Sequence, residues 1–179
     1  FSHINEHCPD DAILTSTTSS ILVTQIAQFV KRPERFLNVH WLNPAYVIPV
    51  VELSRHEGID PAVLARAKAA LEDIGKLPVV CGPTPGYIVP RLQALVMNEA
   101  ARMIEEGAAT AEEIDKAARF GLGLRFAALG VVEFIDFGGG HPASRQPRDV
   151  GLHRCGALPG TGHSGPHDGG RASGPEDRQ

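Results

Sequence analysis

Two prolines inside one apolar stretch restrict what this chain can build. From His40 the sequence runs Trp41-Leu42-Asn43-Pro44-Ala45-Tyr46-Val47-Ile48-Pro49-Val50-Val51 to Glu52. Pro44 and Pro49 each lack an amide donor and clash with a preceding helical turn, so no helix runs through the segment. The flanking apolar runs, Phe36 to Trp41 and Val50 to Ser54, therefore read as strands. A parallel sheet would deliver their side chains to a common crevice at the carboxyl ends of the strands. His40 and Glu52 are too far apart for one helical face, but two adjacent strand ends can bring them together. Histidine exchanges a proton near neutrality, and a nearby carboxylate orients its ring and stabilises its charged form. On pattern alone two readings stand, a hydrogen-bonded core histidine and a proton-transfer pair.

The rest of the chain supplies the surroundings. Residues 1 to 10 read as a helix end and a proline turn, and Ala12 to Thr15 as a short buried strand. The hydroxyl-rich run Ser16 to Ser20 suits a helix cap, and Ile21 to Val30 an amphipathic helix that Pro33 stops. Arg32 and Arg35, interleaved with Lys31 and Glu34, read as a solvated turn rather than phosphate ligands. Asp60-Pro61 opens a helix with its apolar stripe at Val63, Leu64, Ala67, Ala70, Leu71 and Ile74, and Gly75 ends it. A last strand, Leu77 to Cys81, leads into the hinge-like turn Gly82-Pro83-Thr84-Pro85-Gly86. Beyond it the pattern is helical. Tyr87 to Glu106 carries apolar residues on more than one side, which predicts burial against several neighbours. Thr110 to Glu113 forms a capping box, Gly121-Leu122-Gly123 a turn, and Arg125 to Phe137 a further helix.

The predicted fold class is thus α/β followed by all-α: the back half of a Rossmann-type doubly wound sheet over residues 1–83, a helical domain over 84–140, and a tail over 141–179. No Gly-x-Gly-x-x-Gly follows a strand, and the residues before Ala12 are too few for a first βαβ unit of ~30 residues. With no initial methionine, the expectation is a chain that starts inside a domain. A net charge of −4 without a basic stripe argues against nucleic acid as partner. No apolar run approaches the ~20 residues of a membrane span. The amino terminus has no signal-peptide pattern, so a cytoplasmic setting is expected. Cys8, Cys81 and Cys155 lack metal-ligand spacing and read as free thiols, with no metal site.

Several ordered motifs share one likeness. Thr17-Thr18-Ser19-Ser20, Lys31 to Phe36, His40 to Leu53, Pro85-Gly86-Tyr87-Ile88-Val89 and Gly121-Leu122-Gly123, spread over residues 1 to about 137, resemble the 3-hydroxyacyl-CoA dehydrogenase family. The resemblance implies an oxidoreductase of fatty acid or hydroxybutyrate metabolism that oxidises the 3-hydroxyl of an L-3-hydroxyacyl-CoA, with NAD carrying the hydride. It implies His40 as general base, Glu52 as the group that holds its ring, and Ser19 and Asn43 at the substrate oxygen. It also implies a helical domain that closes over the crevice and forms a homodimer. Pro90 stands where the family commonly has a substrate-contacting asparagine, and it offers no side-chain donor. Tyr46-Val47-Ile48-Pro49 and Arg91-Leu92-Gln93 lean toward lambda-crystallin and L-gulonate dehydrogenase, whose substrates are small hydroxy acids without CoA. Without the glycine-rich loop, this chain by itself is expected to be an inactive truncated product or a helical association module.

From His141 to Gln179 the sequence is rich in Gly, Pro, His and Arg and shows neither helical nor strand period, which predicts a disordered tail. Its histidines, His141, His153, His163 and His167, are too irregularly spaced for a metal tract. A shifted-frame origin is a further expectation. Codons exist for Gly140 to Gly151 that, read one base later, give Asp-Ile-Leu-His-His-Ala-Ser-Arg-Glu-Thr-Trp, an amphipathic continuation of the helical domain.

Overall fold

A computed structural model of the chain describes residues 2–137. The expectations for residues 141–179 lie outside the described residues.

The described residues form two compact units that divide between Ile114 and Asp115. In the first, α1 (Ser2–His7) precedes β1 (Leu14–Ser16), α2 (Val23–Ala27), a 3₁₀ turn (Pro33–Arg35), β2 (Phe36–Trp41), β3 (Val50–Ser54), α3 (Pro61–Asp73), β4 (Leu77–Cys81) and α4 (Val89–Glu105). The strands lie side by side in chain order. β1 runs parallel to β2, β2 antiparallel to β3, and β3 parallel to β4. Helices beside a largely parallel sheet bear out the α/β class, but the ladder that carries His40 and Glu52 is antiparallel. The eight-residue connection from Trp41 to Val50 explains the reversal. It is too short for the dozen or more residues that a parallel crossover needs.

Alternation along the strands sorts side chains onto two faces. One face sends Leu37, Val39, Val51 and Leu53 into a cluster with Ile59, Ala67 and Leu71, so α3 covers it. On the other face Leu14 and Phe36 pack with Val23, Ile26 and Val30 of α2 and its C-terminal turn. Each fully buried residue of this kind contributes roughly 1.5–3 kcal/mol. The next positions on that second face are polar: Asn38 pairs with Ser54, and His40 with Glu52. All four are buried.

Local chemistry explains the element ends. Asp60 accepts the Ala62 amide at 2.8 Å, and Pro61 takes the first helical position of α3, as expected. Gly75 then adopts φ +77°, the left-handed conformation that ends the helix. Ile74, expected in the apolar stripe, is exposed because the helix has closed by then.

Other expectations need correction. α2 is half the expected length. Its chain tightens into i→i−3 bonds at Phe29 and Val30, which leaves Phe29 exposed. No serine or threonine stands at its N-cap. Leu22 does, and the Gln25 side chain accepts the Leu22 amide at 3.2 Å while Thr18 Oγ1 accepts that of Ile21 at 3.1 Å. Arg35 is not solvated but buried, donating to the Pro9 carbonyl, whereas Arg32 does lie at the surface between Glu34 and Asp10. Tyr87 precedes α4 instead of belonging to it, and α4 has no buried residue among those described. Its apolar side chains Leu92, Leu95, Val96 and Ile104 are exposed.

Thr110 caps the following α5 (Ala111–Lys116), accepting the Glu113 amide at 3.3 Å. In the second unit Gly121 and Gly123 do not make a turn. They lie in a π-helical stretch, Ala117–Gly123, that runs into α6 (Leu124–Ala128). The expected helix from Arg125 to Phe137 is broken by extended Leu129, and α7 (Val131–Phe137) restarts with Glu133 accepting the Gly130 amide at 3.2 Å.

Candidate active site

The site grows out of the polar patch on the second sheet face. His40 and Glu52 are register partners across the antiparallel ladder, so their side chains rise side by side from the same face. Glu52 Oε2 accepts from His40 Nδ1 at 2.9 Å. They meet as cross-strand neighbours, not at two carboxyl ends of parallel strands.

A fully buried carboxylate is costly unless its oxygens are satisfied. Glu52 is 0% exposed, and its second oxygen accepts the backbone amides of Ile88 at 2.9 Å and Val89 at 2.7 Å. These are the first free donors of α4, whose N-terminus carries a partial positive charge that favours an anion there. Three donors therefore hold Glu52 in one orientation. Because a carboxylate can only accept, the shared proton sits on His40 Nδ1 and the Nε2 lone pair is left free for other work.

That Nε2 faces Ser19 Oγ at 3.2 Å. His40 is nearly enclosed while Ser19 is exposed, so Ser19 sits at the solvent entrance of the pair. Over the imidazole lies Tyr87, its ring 4.3 Å away between centroids and tilted by 13°. Tyr87 is buried, and its hydroxyl donates to the Thr18 carbonyl. Burial pushes the phenol above its ordinary pKa, and the polar Asn38 side chain opposes the shift. Burial also pushes the Cys81 thiol up, with the Glu52 charge adding to it.

Tyr87 reaches this place in a left-handed conformation, φ +48°, directly after Gly86 at +76°. For a bulky L-residue that conformation costs about 1–2 kcal/mol. The two successive left-handed residues lay the ring on His40 and aim the next two amides at Glu52. The strain thus falls at the centre of the polar cluster, as strained residues at functional sites tend to.

Of the four residues expected at the site, Ser19, His40 and Glu52 are brought together. Asn43 is exposed in the turn after β2 and makes no side-chain hydrogen bond among the described residues. Sequence reasoning missed Tyr87, Asn38 and the Ile88 and Val89 amides. Asn38 had a signal, since it stands two residues before His40 and so shares its face. Tyr87 had none beyond its place after Pro85-Gly86. Pro90, whose missing donor had been noted, takes the second position of α4, where no intrahelical partner for its amide is needed.

The cofactor implied by the resemblance needs a glycine-rich strand-to-helix turn for its pyrophosphate. Among the described residues no such turn is present. β1 leads instead through Thr17 to Leu22 into α2. The described residues do not fit that part of NAD; what they present is the hydrogen-bonded line of Ser19, His40 and Glu52. They also contain no cluster of three or more His, Cys, Asp or Glu able to hold a metal.

Comparison with known proteins carries the same pattern further. Residues 1–84 match the profile described as 3-hydroxyacyl-CoA dehydrogenase, NAD binding domain, and residues 86–154 that described as 3-hydroxyacyl-CoA dehydrogenase, C-terminal domain. The chain is 38% identical over 135 residues to the 3-hydroxyadipyl-CoA dehydrogenase of Escherichia coli K12, covering 75% of this chain and 28% of that protein. It is 32% identical over 130 residues to the 5-formyl-3-hydroxy-2-methylpyridine 4-carboxylate 5-dehydrogenase of Mesorhizobium japonicum, covering 72% and 42%. The crystal structure of a 3-hydroxyacyl-CoA dehydrogenase from Archaeoglobus fulgidus superposes with a TM-score of 0.63 at 39% identity, covering 71% of this chain and 44% of that one. The chain therefore spans less than half the length of each of these relatives. With residues 1–84 and 86–154 matching the two profiles of one family in order, the chain belongs to the 3-hydroxyacyl-CoA dehydrogenase family.

Proposed function

We propose that the protein to which this chain contributes oxidises the 3-hydroxyl of an L-3-hydroxyacyl-CoA in an NAD-dependent reaction, with His40 as general base. The observation that carries the reading is the continuous hydrogen-bonded line from Ser19 through His40 and Glu52 to the first amides of α4. A substrate hydroxyl held by Ser19 lies within reach of Nε2 and gives its proton there as the alcohol carbon is oxidised. Glu52 keeps the Nδ1 proton in place and balances the charge that the ring acquires. Tyr87 closes one ring face and confines the imidazole to a single plane. NAD, when bound, would supply the hydride acceptor, and none of the residues described here is assigned to that transfer. Asn43, on its exposed turn, belongs to the substrate end of this reading.

In this proposal the chain alone is inactive and gains activity only when joined to a glycine-rich nucleotide-binding half. Calorimetric titration of the chain with NADH should give no binding at micromolar concentration. Heat uptake fitting a micromolar site would contradict it. Joined to such a half, the chain should turn over acetoacetyl-CoA, and His40→Ala should lower turnover by ~100-fold or more. Retention of near-wild-type turnover would remove His40 from its role.

A second reading, oxidation of a small hydroxy acid without CoA, is favoured by Tyr46 to Pro49 and by the relative named for a pyridine carboxylate. Turnover of L-gulonate in preference to acetoacetyl-CoA would select it. Self-association through the helical half is the remaining proposal. The exposed apolar side chains of α4 support it, and a dimer on size-exclusion chromatography is its expected sign.

A further inference from the structure

The hydroxyl of Tyr87 has no part in the proton transfer described above, yet it is buried and committed to a single acceptor, the carbonyl of Thr18. That carbonyl belongs to the residue immediately before Ser19, whose Oγ faces His40 Nε2. The ring bearing the hydroxyl is stacked on the same imidazole. One side chain thus touches the base with its face and the backbone beside the base's exposed partner with its edge. The hydroxyl segment has little else to hold it. Ser16 Oγ accepts the Thr18 amide at 3.3 Å and Thr18 Oγ1 those of Ser20 and Ile21, all bonds within the segment itself. From outside, Asn38 Nδ2 donates to the Ile21 carbonyl at 3.1 Å, two residues beyond Ser19.

We propose that Tyr87 is a positioning residue that acts through Ser19: its hydroxyl ties the Thr17–Ser20 segment to the hinge and so holds Ser19 Oγ on His40 Nε2. The proposal rests on the site reading given above. It predicts that the hinge and the hydroxyl segment form one unit, and that the strained conformation of Tyr87 is retained for the placement of both its ring and its hydroxyl.

Carbethoxylation of histidines by diethyl pyrocarbonate, followed peptide by peptide in the intact chain, tests this without any activity. The exposed His3 and His7 serve as internal references. Tyr87→Phe keeps the stack and removes the hydroxyl, and with it the bond to the Thr18 carbonyl, so the His40 rate should rise roughly fivefold relative to the references, the scale of one lost hydrogen bond. Ser19→Ala should raise it by a similar factor. The double variant should match Ser19→Ala alone, because both changes remove the same protection. An unchanged His40 rate in Tyr87→Phe, or additive effects in the double variant, would overturn the tether while leaving the His40–Glu52 pair intact. If Ser19→Ala itself leaves the rate unchanged, Ser19 does not cover Nε2, and both the tether and the site reading beneath it fall. A general loosening of the fold raises the rate of the buried His56 along with that of His40 and likewise counts against the proposal.

Discussion

Glu52 joins three elements through one side chain, and the proposed reaction gives the same side chain a second role. With no exposed surface and three donors on its two oxygens, it binds β3 to β2 and to the start of α4. Removing it leaves His40 and two helix-end amides unpaired, so Glu52→Ala should destabilise the chain by about 3–5 kcal/mol in urea unfolding. Glu52→Gln separates the two roles. Its amide oxygen can still accept from Ile88 and Val89, which keeps most of the stability, while its NH₂ now faces His40 Nδ1. The ring must then accept at Nδ1 and carry its proton on Nε2, the tautomer that cannot act as a base there. In an active, nucleotide-binding form of the protein the expected result is a turnover loss of a hundredfold or more with the unfolding midpoint nearly unchanged. A turnover loss that merely tracks lost stability would refute the tautomer argument.

The elements owe their stability to different interactions, and substitutions should separate them. α3 is set by its own ends. Asp60→Ala removes the side-chain acceptor for the Ala62 amide and should cost about 1 kcal/mol, read as a lower urea midpoint. The central strands depend on burial between layers. Leu53 is fully buried in the cluster beneath α3, and Leu53→Ala should cost about 2–5 kcal/mol, the range for a cavity in a packed core. If the two costs proved equal, the division between local capping and layer packing drawn here would be wrong. α4 belongs to neither class. Its N-terminus is tied to Glu52, yet its apolar side chains stay exposed, so its first turn is the part that this chain holds in place.

At the scale of the whole molecule, buried Tyr87 and half-buried Cys81 give stability a pH dependence with a definite sign. Tyr87 and Cys81 hold their protons more tightly when folded, chiefly because burial disfavours the charged forms. Above the ordinary thiol and phenol values, about 8.5 and 10, the unfolded chain has released these protons while the folded chain keeps them. The unfolded state then binds fewer protons, and stability falls as pH rises. The urea midpoint should therefore drop between pH 8 and pH 10.5, and Tyr87→Phe should flatten the upper part of that slope. A midpoint constant across this range would show that neither group is protected.

Much of this was legible in the residues. Helix-breaking prolines, alternating apolar positions and the Asp60-Pro61 start determine strands β2, β3 and β4 and helix α3, because these are local consequences of backbone chemistry and side-chain period. The pairing of His40 with Glu52 was expected as well. How they meet was not: strand direction depends on how the short connection closes, and only the assembled ladder makes the two residues direct antiparallel partners. The exposure of α4, the break at Leu129 and the burial of Arg35 were also decided by tertiary structure, since period and charge describe a face without saying what lies opposite it. Tyr87 is the sharpest case. A tyrosine after Pro-Gly reads as a turn residue, and its contact with the His40 imidazole exists only because a left-handed backbone, a sheet face and a distant carbonyl converge on one ring.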